Sequence, residues 1–457
     1  MGTLLIRNAR LLVTIDEARR RIPGGSILVR DNVIEAVGPA AELPPSASRV
    51  IDASNMVILP GLINAHHHLF QTLTRALPAV QNAELFDWLV HLYPIWAELT
   101  PEGAYISALV GLAELLLSGC TTTTDQLYIL PNGVRHDDEI RAARELGVRF
   151  HPCRGSMSLG RSQGGLPPDS LVQTEAEILS DTERLVAAYH DPQPYSMLRI
   201  VVAPCSPFSV AEESLRRSAI WARERGLRLH THVAETADEE RFCLERCGCR
   251  PVEYMRRLGW VGPDVWFAHA VHLNSEEIAT LAETGTGVAH CPSSNMRLGS
   301  GIAPVRELLD AGAPVGLAVD GSASNDSSHM LAEARMALLL QRVSKGATAL
   351  AVEEALEMAT LGGARVLGRD DIGALAPGKA ADLIGIDLDR LNYAGAAPHD
   401  PVGALLLCTP PTVDLSIING RVVVEDGRIP GLDVERLIPR HNELAVQMVR
   451  RAEEQQP

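Results

Sequence analysis

Positive charge is in short supply. The 457 residues include 41 Lys and Arg against 57 Asp and Glu, a net charge of −16 with His neutral. A nucleic-acid surface needs a basic patch for the phosphates, so this balance argues against nucleic acid as a partner and offers nothing to anionic lipid. Long apolar runs are missing too. Gly, Pro or charge interrupts each one well before the ~18 residues of a membrane span, so no membrane association is expected. The opening stretch MGTLLIRNARLLVTIDE has no apolar h-region and no small-residue cleavage site, and it alternates like a strand. Cysteine is sparse. Eight are too few for a disulfide scaffold and ordinary for a cytoplasmic protein, which is the expected localisation. Cys243, Cys247 and Cys249 cluster on a predicted helix, but the spacing is not Cys-x-x-Cys and no second pair answers it. They read as reduced, partly buried thiols.

What is present describes a globular chain, 46% hydrophobic and 21% charged. Residues 1–59 read as short strands: Leu4 to Ala9, Ser26 to Arg30, Val33 to Val37, Arg49 to Asp52 and Met56 to Leu59. The C-terminal stretch has the same character. Ala381 to Ile386 is one strand, and Leu415 to Ile418 and Arg421 to Glu425 flank Asn419-Gly420, a strong hairpin signal. These two pieces, 1–59 and 375–457, are expected to pair into one small β-sandwich. The tail from Glu453 to Pro457 is expected to be disordered.

Residues 60–374 alternate strand and helix. Eight strand candidates occur: Leu62 to His66, Thr121 to Asp125, Arg149 to Cys153, Leu198 to Ala203, Leu227 to His232, Val265 to His269, Gly287 to His290 and Val315 to Val319. At about 39 residues per unit this is the size of a βα repeat, so the expected fold is α/β, a (β/α)8 TIM barrel carrying the sandwich. The Gly-, Ser- and Pro-rich loop from Ser156 to Asp169 is a candidate cover for the barrel mouth.

Histidine is concentrated at the ends of these strands. Strand one runs into His66-His67-His68, strand five into His230-Thr231-His232 with Glu235 following, strand six into His269, strand seven into His290 and strand eight into Asp320-Gly321. Strand ends of a barrel converge on the active site. Residues two apart on a strand face the same side, so His66 and His68 point to the axis and His67 into the wall. Three neutral imidazoles and one carboxylate suit Zn²⁺, or Fe²⁺, and an open position would hold a water whose pKa falls to roughly 7.

The segments ILPGLINAHHHLF, LHTHVAE, FAHAVHL, HCPSSN and VDGSASND resemble the successive strand-end motifs of the amidohydrolase superfamily, and LGRDDIGALAPGKAADLI and INGRVVVEDGR its C-terminal sandwich motifs. The resemblance covers about residues 1 to 430. HTHxxE followed by HCPxSN is similar to the aminohydrolase branch of guanine, cytosine and S-adenosylhomocysteine deaminases. That branch binds one metal, and no Lys stands at a suitable strand end to bridge a second. The resemblance implies His66, His68, His232 and Asp320 as ligands, Glu235 as proton shuttle and His269 as the residue orienting the hydrolytic water. The implied reaction turns ring C–NH₂ into C=O with loss of ammonia.

More narrowly, HHHLFQTLTRALP, LFDWLVHLYPIWAELTPE, RGSMSLGRSQGGLPPD and HCPSSNMRLGSGIAP resemble the 8-oxoguanine deaminases and, less closely, the triazine hydrolases. Residues 125–128 read Asp-Gln-Leu-Tyr, where 8-oxoguanine deaminases usually carry a His-rich stretch and some triazine hydrolases have Asp-Gln. An s-triazine hydrolase is therefore the alternative. Gln71, Trp88, Tyr128, Arg154 and Cys205 lie on or near strand-end loops and are the candidate substrate contacts: Gln pairs a ring N–H or carbonyl, and Trp stacks on a flat ring. Asn295 and Arg297 are expected to tie loops to the barrel rim. The expected partners are a small heterocyclic substrate and water. A homo-oligomer is left open.

Overall fold

The computed structural model describes residues 2–455. Eight parallel strands run in sequence order around a barrel: β1 (Leu62–Asn64), β2 (Cys120–Leu127), β3 (Arg149–Ser156), β4 (Val201–Pro204), β5 (Arg228–Val233), β6 (Val265–His269), β7 (Gly287–His290) and β8 (Val315–Leu317). The barrel closes between its first and last strands through Ala65 N–H to Leu317 O (3.0 Å) and Asp320 N–H to His66 O (3.2 Å). The interior is lined by small side chains, Ala65, Cys153, Ala203, Ala289 and Ala318 among them, around the single large ring of Trp266. This (β/α)8 barrel is the expected fold. Its first and last strands are shorter than predicted. β1 stops at Asn64 and β8 at Leu317, because the chain turns to bring His66 and Asp320 over the barrel mouth.

The termini form two further sheets. One has four strands, from Thr3–Ala9, Gly25–Arg30, Val33–Pro39 and Arg49–Asp52. The other has six, in which Met56–Pro60 pairs antiparallel with Leu383–Asp387 and so joins the N- and C-terminal segments. Both sheets contribute to one apolar core that includes Ile6, Ile27, Ile58, Leu383 and Ile417. A buried bidentate ion pair, Arg149 Nε to Asp382 Oδ2 at 2.8 Å and Nη2 to Oδ1 at 2.9 Å, fastens the start of β3 to this unit.

Three helices matter for the site: α1 (Leu85–Trp96), α2 (Pro101–Leu117) and α3 (His136–Leu146). A long C-terminal helix, Val434–Gln455, was not among the expected elements. Its buried residues Leu437, His441, Leu444, Met448 and Ala452 recur every three or four positions, and that stripe packs on α2 and α1. Glu453 to Gln455, expected to be disordered, continue this helix. The rest of that expectation, residues 456 and 457, lies outside the described residues. Among the described residues no helix is long and apolar enough to cross a membrane.

Candidate metal centre and active site

Four imidazole Nε2 atoms and one carboxylate converge above the barrel. His66 Nε2 lies 3.2 Å and His68 Nε2 3.5 Å from Asp320 Oδ1, and His68 Nε2 lies 3.1 Å from His232 Nε2. His66, His232, His269 and Asp320 each offer a donor atom within 4.8 Å of the others. All are buried. Non-glycine residues seldom adopt positive φ, yet His269 (72°), Asp320 (62°) and Ala234 (57°) do so where strands give way to loops, a strain typical of sites whose surroundings over-determine them.

The hydrogen bonds fix the tautomers. His68 Nδ1–H donates to Gln126 O (2.8 Å) and His232 Nδ1–H to Cys205 O (2.6 Å). His230 Nδ1–H donates to Trp266 O (3.1 Å), which leaves its Nε2 as acceptor for His66 Nδ1–H at 2.7 Å. The Nε2 atoms of His66, His68 and His232 are therefore lone pairs aimed at one point. His66 Nε2 has no hydrogen-bond partner although fully buried. Two lone pairs 3.1 Å apart repel unless a cation lies between them, so this donor set fits a divalent metal ion. Burial depresses the pKa of His66, His68 and His232, keeping them in the neutral, ligating form.

His269 differs. Its Nε2 lies 3.7 Å from Glu235 Oε2 and 3.8 Å from Asp320 Oδ2, the carboxylate oxygen turned away from His66 and His68. Burial works against its charge, but the carboxylates of Glu235 and Asp320 outweigh burial and hold its pKa above the ordinary value. Its Nδ1 faces Asn295 Oδ1 at 2.9 Å. Asn295 was expected only to tie loops, and instead it orients a site histidine. Arg297 does tie loops, bonding Asp326 and the Gln81 carbonyl. Asp320 Oδ2 accepts from Ser294 Oγ (2.5 Å) and Ser324 Oγ (3.2 Å). Glu235 sits buried just ahead of the helix Ala237–Cys247, its backbone N–H and that of Ala234 both held by the Glu239 carboxylate at 2.8 Å. Burial pushes Glu235 up to about 7, only partly opposed by His269.

A cavity adjoins these groups at the mouth of the barrel. His68, His232, Glu235, His269 and Asp320 line one part of it. Gln71, Trp88, Tyr93, Tyr128, Cys205 and Phe208 are among those lining the remainder, and no Arg or Lys does. Gln71, Trp88, Tyr128 and Cys205 were predicted. Arg154, also predicted, is absent. On β3 it is Cys153 that faces the barrel interior, so Arg154 points outward and pairs with Asp181 of the helix Glu175–Tyr189 at 2.9 Å. The loop from Ser156 to Asp169 contributes nothing to the lining, and the mouth is bordered instead by α1 and Phe208. His67 faces the wall as expected, bonded to Ser328 Oγ at 3.1 Å. His290 is buried with neither ring nitrogen partnered, and it lines no part of the cavity. Of the Asp-Gln-Leu-Tyr stretch at 125–128, only Tyr128 lines the cavity, so any effect of this departure on ring choice made by direct contact passes through Tyr128. Sequence reasoning left His230 without a role and missed Tyr93 altogether. The first was signalled by the His-x-His repeat; the second by nothing, since an apolar helix face hides an inward phenol.

Residues 57–423 match the Amidohydrolase family. The chain belongs to it. It is 51% identical over 428 residues to the 8-oxoguanine deaminase of Pseudomonas aeruginosa, covering 93% of this chain and 95% of that one. It is 40% identical over 456 residues to the hydroxydechloroatrazine ethylaminohydrolase of Pseudomonas sp. strain ADP, covering 95% and 93%. Among solved structures, the atrazine chlorohydrolase of Arthrobacter aurescens TC1 complexed with zinc superposes with a TM-score of 0.93 at 35% identity, over 97% of this chain and all of that one.

Proposed function

We propose that this amidohydrolase is a zinc-dependent deaminase of an amino-substituted heterocycle, with 8-oxoguanine as substrate and urate and ammonia as products. The observation that carries the reading is the placement of a neutral-pH proton carrier, Glu235, beside His269 and a lone-pair cluster built for one cation. His66, His68, His232 and Asp320 Oδ1 would hold the ion: His68 Nε2 lies 3.1 Å from His232 Nε2, and Asp320 Oδ1 lies 3.2 Å and 3.5 Å from the Nε2 atoms of His66 and His68. When bound, the ion supplies Lewis acidity that makes water nucleophilic near pH 7.

The chain's own residues do the rest. Glu235, held near pKa 7, moves a proton from the attacking water to the ring nitrogen beside the reacting carbon, which makes that carbon electrophilic. His269, fixed by Asn295, orients the water and the oxygen it becomes. Asp320 Oδ2 holds the second water proton until the leaving nitrogen takes it. The C–O bond forms, the C–N bond breaks, and NH₃ departs as C=O is established. The cavity's lack of Arg and Lys suits a neutral ring and not a phosphorylated nucleotide.

The likeness to the atrazine chlorohydrolase favours a second reading, hydrolysis of an s-triazine. One screen separates them: ammonia and product release from 8-oxoguanine, guanine, isoxanthopterin and hydroxyatrazine, with metal analysis distinguishing zinc from iron. 8-Oxoguanine should react fastest, and Glu235→Gln should retain the metal while losing more than about 10²-fold in kcat. Turnover of the triazine alone overturns the purine assignment.

A further inference from the structure

Three residues that line the cavity each carry a buried polar atom with no hydrogen-bond partner: Trp88 Nε1, Tyr93 Oη and Gln71 Oε1. Buried polar groups are nearly always paired, so unpaired ones gathered in one cavity outline the ligand that pairs them. Their chemistry is directional. An indole N–H only donates, and an amide oxygen only accepts. Burial drives the Tyr93 phenol pKa upward, so it stays protonated and can donate. A ligand that pairs all three would show an acceptor to α1 and an N–H to Gln71. With no cationic side chain in the lining, that acceptor is a neutral carbonyl and not a carboxylate or phosphate.

The Gln71 amide packs against the turn after Asp320. A Cβ at Gly321 would stand 1.9 Å from Gln71 Oε1, so glycine there is what leaves room for the amide. The reacting carbon is committed to Glu235 and the histidines, and the two donors on α1 are left for another part of the ring.

We propose that Tyr93, together with Trp88, reads a carbonyl on the ring remote from the amine that is lost, and that this pair makes the enzyme select 8-oxoguanine over guanine. The proposal rests on the deaminase reading above. Guanine has hydrogen at C8 where 8-oxoguanine has C=O, and it lacks one of the two N–H groups of the oxidised five-membered ring. With guanine bound, Tyr93 and Trp88 stay buried and unpaired, and a site built to pair such groups rejects an analogue lacking them. Selectivity then resides in a helix outside the strand-end motifs, and it can vary while the metal centre does not.

The test is steady-state kinetics of the metal-loaded protein on 8-oxoguanine and guanine, with the inhibition constant of guanine replacing its kcat/KM where turnover is too slow to follow. Tyr93→Phe removes one oxygen and keeps the ring. It should lower kcat/KM for 8-oxoguanine by about 10- to 100-fold, chiefly through KM, and leave guanine within about threefold, so that the selectivity ratio falls by the same factor. Trp88→Phe should act in the same direction and serves as the second variant if Tyr93→Phe folds poorly by thermal unfolding. An unchanged ratio in folded variants, or equal losses on both purines, overturns the proposal alone. Wild-type protein that releases ammonia from neither purine overturns the deaminase reading and the proposal with it.

Discussion

At the scale of single residues, the centre depends on which ring nitrogen carries the proton. Each proposed ligand histidine spends its Nδ1–H on an acceptor outside the cluster, and for His66 that acceptor is another imidazole. Burial holds His230 at a pKa of about 3, so its Nε2 remains an acceptor throughout the neutral range. It also stacks on Trp266 with ring centroids 4.5 Å apart, which fixes the ring plane. His230→Ala should leave His66 free to change tautomer or rotate, and metal affinity should drop by about 10- to 100-fold although no ligand is touched. Competition with a chelator measures this. Affinity equal to wild type would show that His66 needs no orienting partner. The His-x-His repeat and the Glu that follows it were legible from residue type and the two-residue period of a strand. The division of labour among the histidines was not, because tautomer and distance depend on backbone carbonyls of Gln126, Cys205 and Trp266, contributed by three different strand regions.

At the scale of elements, β2 and α3 meet through carboxyl groups. Asp125 faces Glu139, both are fully buried, and Asp125 also accepts from the backbone N–H of Leu69, next to His68. Burial pushes Asp125 up to about 7 and Glu139 well above its ordinary value, the second further raised by the charge of the first. Both folded values exceed the unfolded ones near 4, so the folded state binds more protons from about pH 4 up through the raised folded values, about 7 for Asp125 and well above the ordinary range for Glu139. The stability this pair contributes is complete below that window and is lost as pH rises through it. Glu139→Gln should leave the urea midpoint near pH 4 unchanged and raise it at pH 8. A pH 8 midpoint at or below that of the wild type would contradict the raised values of the pair. Strand positions were legible because β-branched runs punctuated by Gly and Pro recur at a barrel's repeat. The inward or outward sense of Arg154 was not, because one residue of register exchanges the two faces of a strand.

At the scale of the whole molecule, a barrel and a two-sheet unit share few charged contacts as deeply buried as Arg149 with Asp382, whose side chains are 0% and 3% exposed. Removing one partner leaves the other charged and dry, so Arg149→Met should cost about 3–5 kcal/mol in chemical denaturation, and adding Asp382→Asn should recover part of it. A loss under about 1 kcal/mol would mean that the two units are coupled by apolar packing alone. Composition and local pattern were enough to establish an α/β chain with terminal strands, a barrel between them and a histidine-rich set of strand ends. These are properties that each segment carries in its own periodicity and chemistry. The folded molecule alone decided which nitrogens share a point, which carboxylates lose their water and which polar atoms on α1 stay buried and unpaired. Those depend on residues hundreds of positions apart brought within a few ångströms, where burial and a neighbour's charge, and not residue type, set what a group can do.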